Sequence, residues 1–492
     1  MGQIILSAVS WTLAREAWQW GLAGLGLVLS LLASGHAVLY KRDSRSAIAW
    51  VGFVWLVPIV GPVLYFMFAV NRVRRRASLL RSGLERYRAE PGKLECSPED
   101  LHKQLPKHAG HLQMLARVVD KVVEKPLSPG NRVEPLLNGD EAYPAMLQAI
   151  HNSRHTISLQ TYIFDRDEVG TAFSHALGEA VRRGVEVRVL IDAAGTRYSW
   201  PTILRTLRQD GVRYARFLPL FSMGRLLAMN LRTHRKIMVM DGTVGFTGGL
   251  NIRVGHCLLK SPKHPVQDLH FRVEGPVVTQ MQEAFADDWL FTTGESLRGE
   301  KWFASTNTAG GVFARGVVDG PDEDFEKLRW TLLGALSIAR HSVQIVTPYF
   351  LPDRAIVSAL TVAAMRGVRV DIILPSVNNL PFVQWASEAM WWQVLEHGCN
   401  IWTTPGPFDH TKLMIVDGGW VLLGSANWDS RSLRLNFEFN LECYDLGLAG
   451  RLTKLIESKR ANARRITLEE VDKRSLPVRL RDGIARLATP YL

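Results

Sequence analysis

The chain has 492 residues and a formal net charge of +12, so it holds two or more domain-sized units and suits an anionic partner, either nucleic acid or lipid. Its four cysteines, Cys96, Cys257, Cys399 and Cys443, are scattered with no C-x-x-C pair. That argues against a disulfide framework or a zinc site and fits a reducing compartment.

Two N-terminal runs lack Lys, Arg, Asp and Glu: residues 17–40, 24 positions, and residues 46–71, 26 positions. About 20 apolar residues cross a bilayer as helix. Trp18, Trp20 and Tyr40 flank the first run as interfacial aromatics do. The length of the first run and the presence of a second argue against a cleaved signal peptide. Arg72, Arg74, Arg75 and Arg76 put the remainder on the cytoplasmic side. The loop 41–45 is also basic, and Pro58, Gly61 and Pro62 interrupt the second run. A broken second segment stays open, but the expectation is a membrane-anchoring helical hairpin over 1–75. Residues 76–130 read as a linker, polar and ending in a Pro/Gly-rich stretch.

Two similar halves follow, 131–300 and 301–492. The first predicts a helix over 141–152, a strand over 156–164, a helix over 170–183 and a strand over 185–191. The second repeats the order with a helix over 324–340, a strand over 343–350, a helix over 354–366 and a strand over 368–374. Alternation of this kind predicts an α/β fold with a mainly parallel sheet. A duplicated half packs best against its copy across a pseudo-twofold axis. At the end, residues 478–487 form a basic, apolar helix suited either to an anionic membrane surface or to ordinary docking.

Each half carries one copy of a motif. His234, Lys236 and Asp241 stand at i, i+2 and i+7, with Asn251 closing the stretch; His410, Lys412, Asp417 and Asn427 repeat the spacing. One such pattern is weak, whereas two copies with the same apolar filling are a strong signal. The apolar run and Asp-Gly pair predict a strand ending in a tight turn, with His and Lys on one face. Asp241 and Asp417 have the opposite parity, at the turn, where support is the plainer reading than direct catalysis.

These residue types suit a phosphodiester. Lys236 and Lys412 can hold its non-bridging oxygens, and Asn251, Asn427 and Ser425 are the substrate-binding candidates. One imidazole can attack phosphorus and the other can move the proton. A carboxylate on the far ring nitrogen would fix the tautomer, and Asp268 and Glu438 lie downstream of the two motifs. No cofactor or metal is called for, because the lysines supply the positive charge. His256, His264 and His270 match no ligand spacing.

The paired motifs resemble the phospholipase D superfamily over residues 131–492. Within it, 230–236, Thr347-Pro348-Tyr349-Phe350 and 431–438 resemble the bacterial cardiolipin synthase family. The resemblance implies two α/β/α lobes sharing one active site and a phosphohistidine intermediate. It implies phosphatidylglycerol and other anionic phospholipids as partners and a multi-pass bacterial inner-membrane location. It assigns His234 as nucleophile, His410 as acid/base, and Lys236, Lys412, Asp241 and Asp417 to the catalytic set. Ile252-Arg253-Val254-Gly255-His256 departs from the acidic-aromatic run that the family often has there. A hydrolase of the same fold, a nuclease and a non-catalytic scaffold are rival readings. The membrane segments argue against nucleic acid, and the oligomeric state, a homo-oligomer included, is left open. The apolar stretch 217–229 is a candidate acyl-chain mouth.

Overall fold

A computed structural model describes residues 2–41, 43–66, 88, 96–218 and 231–489. It divides into two compact units, Met1–Arg75 and Arg76–Leu492. In the first, the helix Gly2–Tyr40 contains a stretch, Arg15–Tyr40, long and apolar enough to cross a membrane. The second apolar run is not one helix. The helix Ser44–Leu56 stops before Pro58, and a short helix, Val60–Leu64, follows. Proline has no backbone N–H and drives the residue before it out of helical geometry. Ile59 then adopts a φ of 73°, unusual for a β-branched residue. The 13 residues of the first piece rise about 20 Å, short of the ~30 Å hydrocarbon core. Among the described residues, one long helix is thus followed by a second apolar segment broken at Pro58, the alternative the sequence left open. Ala33, Ala37, Val54 and Tyr65 form the small core of this unit. The arginines at 72 and 74–76 lie outside the described residues, as does 219–230 of the candidate acyl-chain mouth.

The second unit is built on one large mixed sheet and one separate two-stranded sheet. Its first half supplies β1 (Ser128–Leu137), β2 (Thr156–Thr161), β3 (Glu186–Asp192), β4 (Tyr214–Phe217), β5 (Arg232–Thr233), β6 (Ile237–Met240), β7 (Val244–Gly248), β8 (Val266–Gln267) and β9 (Leu269–Glu274). The second half supplies β10 (Val312–Asp319), β11 (Ser342–Val346), β12 (Arg369–Pro375), β13 (Asn400–Thr404), β14 (Phe408–Asp409), β15 (Leu413–Val416), β16 (Trp420–Gly424), β17 (Asn436–Tyr444) and β18 (Arg464–Ile466). The order β4-β3-β2-β6-β7-β9-β1 meets β10-β17-β16-β15-β11-β12-β13, with β18 at the far edge. Each strand of the first run has its counterpart in the second. β1 and β10 meet antiparallel, as equivalent strands related by a twofold axis must. The expected mainly parallel sheet is corrected: β2-β3-β4 and β11-β12-β13 are parallel, and the strands between them pair antiparallel. The cause is the hairpin that each motif forms, which inserts a reversed strand beside β2 and β11.

Strand parity makes each half an α/β/α layer. In β2, Ile157 and Leu159 face a core shared with the helices Asn138–Asn152 and Glu168–Arg182. The alternate residue Gln160 faces the helix Val277–Thr293, donating to Asp288 at 2.7 Å. In β11, Val343 and Ile345 join the second core, while the alternate Gln344 accepts from Thr453 of the helix Leu446–Ala461 at 3.3 Å.

Part of the expected linker is folded. The helices Pro98–Gln104 and Gln113–Val122, with the short 3-10 helix Lys107–Leu112 between them, put Leu101, Leu112, Leu115, Ala116 and Val119 into the second core, all fully buried. Composition hid this because one apolar stripe suffices for a helix packed on one side. Leu115→Ala is expected to lower unfolding free energy by about 2–5 kcal/mol, read from the denaturant midpoint. An effect within about 0.5 kcal/mol, normal for an exposed site, would show that this helix contributes no core.

Candidate active site

Each motif segment leaves its own lobe to pair with the other. β5 runs parallel to the start of β17, and the His234 N–H donates to the Phe437 carbonyl at 2.9 Å. In the second half, β14 runs parallel to β8, and the His410 N–H donates to the Gln267 carbonyl at 2.8 Å. The backbone thus delivers each histidine to the opposite lobe. The side chains complete the exchange. His234 Nδ1 lies 3.1 Å from both oxygens of Glu438, and His410 Nδ1 lies 2.8 Å from Asp268 Oδ2. Each carboxylate comes from the lobe that does not own the histidine. Both are fully buried or nearly so, and neither is a surface strand carboxylate.

Both imidazoles open onto one cleft of about 330 Å³, together with Asn251, Asn427 and Arg431. The size falls in the ~300–1,000 Å³ range of small-ligand sites. The His-Arg-Lys segment precedes its strand rather than lying in it, yet the lysine stays beside the histidine. Lys236 Nζ donates to the His234 carbonyl at 2.8 Å, and Lys412 Nζ donates to that of His410. Burial lowers both ammonium pKa values, to about 7 for Lys236 and about 8 for Lys412, against the pull of Glu438 and Asp268. Burial also lowers both histidines, assisted by the neighbouring lysines, and His410 falls well below its ordinary value. Both shifts favour the uncharged imidazoles at neutral pH.

Arg235, inside the first motif, is fully buried. It pairs with Asp288 at 2.9 Å and donates to the Glu438 carbonyl at 3.1 Å, tying the motif to the strand that orients its histidine. Asn251 lines the cleft and accepts from the Ile163 N–H at 3.0 Å through its side-chain oxygen. Its own carbonyl takes the Tyr143 hydroxyl at 2.6 Å.

Three expected site residues do other work. Asp241 accepts from the backbone N–H groups of Arg154, His155 and Thr156 at 2.8–2.9 Å. Asp417 does the same for Arg340, His341 and Ser342 at 2.7–2.8 Å and also binds His111 Nε2 at 2.6 Å. Both sit in left-handed turns, with φ of 49°, at the end of β6 or β15 away from the histidine. They clamp the entry to β2 and β11 and take no place in the cleft. Ser425 is not a substrate ligand either. It is buried behind the site, donates to Glu438 Oε2 at 2.5 Å and accepts from the Phe439 N–H at 3.0 Å. Its counterpart is Gly249, where a Cβ would fall 2.1 Å from Asp268 Oδ1. The shorter carboxylate of Asp268 thus sits where the serine side chain would be.

The sequence did not reveal the tyrosines. Tyr162 packs edge-on to His234 and Tyr349 to His410, at centroid distances of 5.4 and 6.4 Å. Burial raises both phenol pKa values, so they stay protonated. They escape a comparison of the halves because they are offset by one residue: Thr161 and Thr347 are equivalent, and Tyr162 aligns with Pro348. Arg232, Arg431 and His256 also line the cleft. Of the histidines without a ligand spacing, His256 is satisfied by the Val266 carbonyl at 3.3 Å.

Two lobes exchanging imidazole–carboxylate pairs over one cleft define a phospholipase D-type site. Residues 146–289 and 332–460 match the family described as cardiolipin synthase, PLD-like domain. Residues 28–69 match the phospholipase D-nuclease N-terminal family. Cardiolipin synthase 1 of Bacillus anthracis is 31% identical over 497 residues, covering 98% of this chain and 94% of that protein. Cardiolipin synthase 2 of Staphylococcus epidermidis is 32% identical over 463 residues, 92% of this chain and 93% of that one. Among solved structures, a phosphatidylserine synthase from Haemophilus influenzae aligns with a TM-score of 0.59 at 15% identity, covering 77% of this chain and all of that one, which shows the shared fold. The chain belongs to the bacterial cardiolipin synthase family of the phospholipase D superfamily, a family of membrane-associated phosphatidyltransferases.

Glu438→Gln and Asp268→Asn keep the shape but lose the charge that orients each ring. Each is expected to cut kcat by roughly 10²–10⁴ with little change in stability. Asp417→Ala should do the reverse, costing about 2–4 kcal/mol of stability with turnover per folded molecule preserved. Denaturation midpoints and kcat per active site separate the two behaviours; loss of chemistry in folded Asp417→Ala would return that residue to the catalytic set.

Proposed function

We propose that the protein makes cardiolipin by transferring a phosphatidyl group from one phosphatidylglycerol to another through a phosphatidyl-histidine. The observation that carries this is the pair of imidazoles, each held through Nδ1 and each facing the same cleft beside two buried lysines. Holding Nδ1 leaves Nε2 of each ring as the reactive atom.

In the first half-reaction, His234 Nε2 attacks phosphorus and a P–N bond forms. His410 takes up a proton on Nε2 as the phosphodiester anion binds; the P–O bond to the glycerol head group breaks, and that proton passes to the departing oxygen. In the second, the head-group hydroxyl of another phosphatidylglycerol enters, and His410 removes its proton. That oxygen attacks phosphorus, the P–N bond breaks, and His234 returns to its starting state. Lys236, Lys412 and the amide groups of Asn251 and Asn427 stabilise the oxygens where charge builds up. The order of the histidines follows the family resemblance. The depressed pKa of His410 is compatible with it, because an arriving phosphodiester anion raises the pKa of a neighbouring imidazole. The lobes work on the cytoplasmic side of the inner membrane, a placement supported by the basic residues after the apolar segments.

Incubation with phosphatidylglycerol vesicles should yield cardiolipin and free glycerol in equal amounts by mass spectrometry. Phosphatidic acid as the main product would replace this reading with hydrolysis. His234→Ala and His410→Ala should each abolish product, and wild type quenched with detergent at mildly alkaline pH should carry the phosphatidyl group on His234; a label on His410 would reverse the assignment. The pH profile carries a second expectation. Because the His234 pKa is lowered, the acid limb of kcat/KM, where the nucleophile takes up a proton, should lie below the ordinary histidine value of about 6.5. Because Lys236 and Lys412 lose charge near pH 7 and 8, affinity for the anionic lipid should fall as pH rises through that range. A flat profile from pH 6 to 10 would contradict the role of the lysines.

A further inference from the structure

The C-terminal helix Leu476–Leu487 packs on the sequence-distant helix Pro381–Glu388. Ala485 is buried there with Leu351, Val383 and Ala386. Asp482 is also buried, and Arg474 and Arg481 donate to it, each at 2.8 Å. Among the described residues, nothing covers the opposite face. Leu476, Leu480, Ile484 and Leu487 are 77, 62, 56 and 76% exposed. At roughly 100° per residue they fall within a stripe about 80° wide, turned away from Ala485. Arg479 and Arg486 border it on one side and Arg481 on the other. Among the described residues, Arg479 and Arg486 have no carboxylate at ion-pair distance.

The helix that carries the stripe packs against the wall of the cleft. Val383 contributes to the wall of the cleft and to the packing under the C-terminal helix. Leu380 lines the mouth and Phe382 stands beside it, both exposed. On the first lobe's side, Tyr198 lines the same cleft, and Trp200, two residues on, is 92% exposed. Both rims of one opening thus present apolar and aromatic side chains to solvent.

We infer that this helix and the two rims form a docking face for the surface of an anionic bilayer, separate from the N-terminal apolar segments. An apolar stripe bordered by arginines is the arrangement of a helix lying in the head-group region, and exposed aromatics suit the same depth. The charge complementarity favours phospholipid head groups over a neutral protein groove. The inference rests on the reading of the cleft as a site for lipid phosphodiesters: a lipid whose acyl chains stay in the bilayer can reach the histidines only if the mouth faces the membrane.

The test uses the full chain with Cys96→Ser, reconstituted in vesicles, with an environment-sensitive fluorophore at Leu480→Cys. Glu300→Cys, exposed near the cleft-distal start of β2, serves as reference. In phosphatidylglycerol vesicles the label at 480 should shift to the blue and be quenched by shallow spin-labelled lipid at least twofold more than at 300. The excess should shrink in phosphatidylcholine. Equal quenching at both sites overturns the inference, and so does disulfide cross-linking of two copies through position 480, which would make the stripe a self-association surface. In a second measurement, Leu480→Glu with Ile484→Glu should slow phosphatidyl transfer in vesicles about tenfold while sparing turnover of short-chain, monomeric phosphatidylglycerol. Unchanged transfer in vesicles would count against docking. The label reports docking without turnover, so a product other than cardiolipin would sink the proposed reaction and leave this result standing.

Discussion

An imidazole is a useful nucleophile or proton carrier only when one nitrogen is fixed and the other is free. Here Glu438 fixes His234 and Asp268 fixes His410, and each pair joins different halves of the chain. The arrangement makes catalysis conditional on assembly. A lobe standing alone would keep its histidine and its lysine and lose the carboxylate that sets the ring. Much of the buried polar structure serves this exchange. Arg235 ties the first motif to β17 through the Glu438 carbonyl, and Ser425 holds Glu438 from behind. The parallel pairs β5–β17 and β8–β14 carry the backbone across the boundary.

The pseudo-twofold is strict in the backbone and relaxed in the side chains. Strand order, the Asp-Gly turns and the carboxylate clamps on β2 and β11 repeat. The orienting acids do not: one is glutamate backed by serine, the other aspartate backed by glycine. The aromatic rings against the histidines sit one position apart in the repeat. The two half-reactions proposed above place different demands on one symmetric frame, and these substitutions are where the frame can be made unequal.

What the sequence disclosed was what repeats. The alternation of helices and strands came within a few residues of the observed elements, and the histidines and asparagines line one cleft, with the lysines and both orienting acids buried against the histidines. What stayed hidden depends on long-range pairing. Spacing alone could not show that Asp268 serves the histidine of the other lobe, or that Asp241 and Asp417 face the backbone of β2 and β11. Ser425 looked like a ligand because it lies within a motif, and only burial shows that it acts through Glu438. The parallel reading of the sheet failed because the motif hairpins reverse the chain. Residues 96–127 read as linker because a helix buried on one side has a mostly polar sequence.

The exchange of orienting acids makes a statement about single atoms. If the opposite lobe's carboxylate holds Nδ1, the covalent intermediate can form only at Nε2. Phosphorus-31 NMR of the proposed intermediate, trapped by denaturation and proteolysed at mildly alkaline pH, distinguishes the two linkages. The account predicts an Nε2-phosphorylated histidine; an Nδ1 linkage would mean that the rings are not held as described.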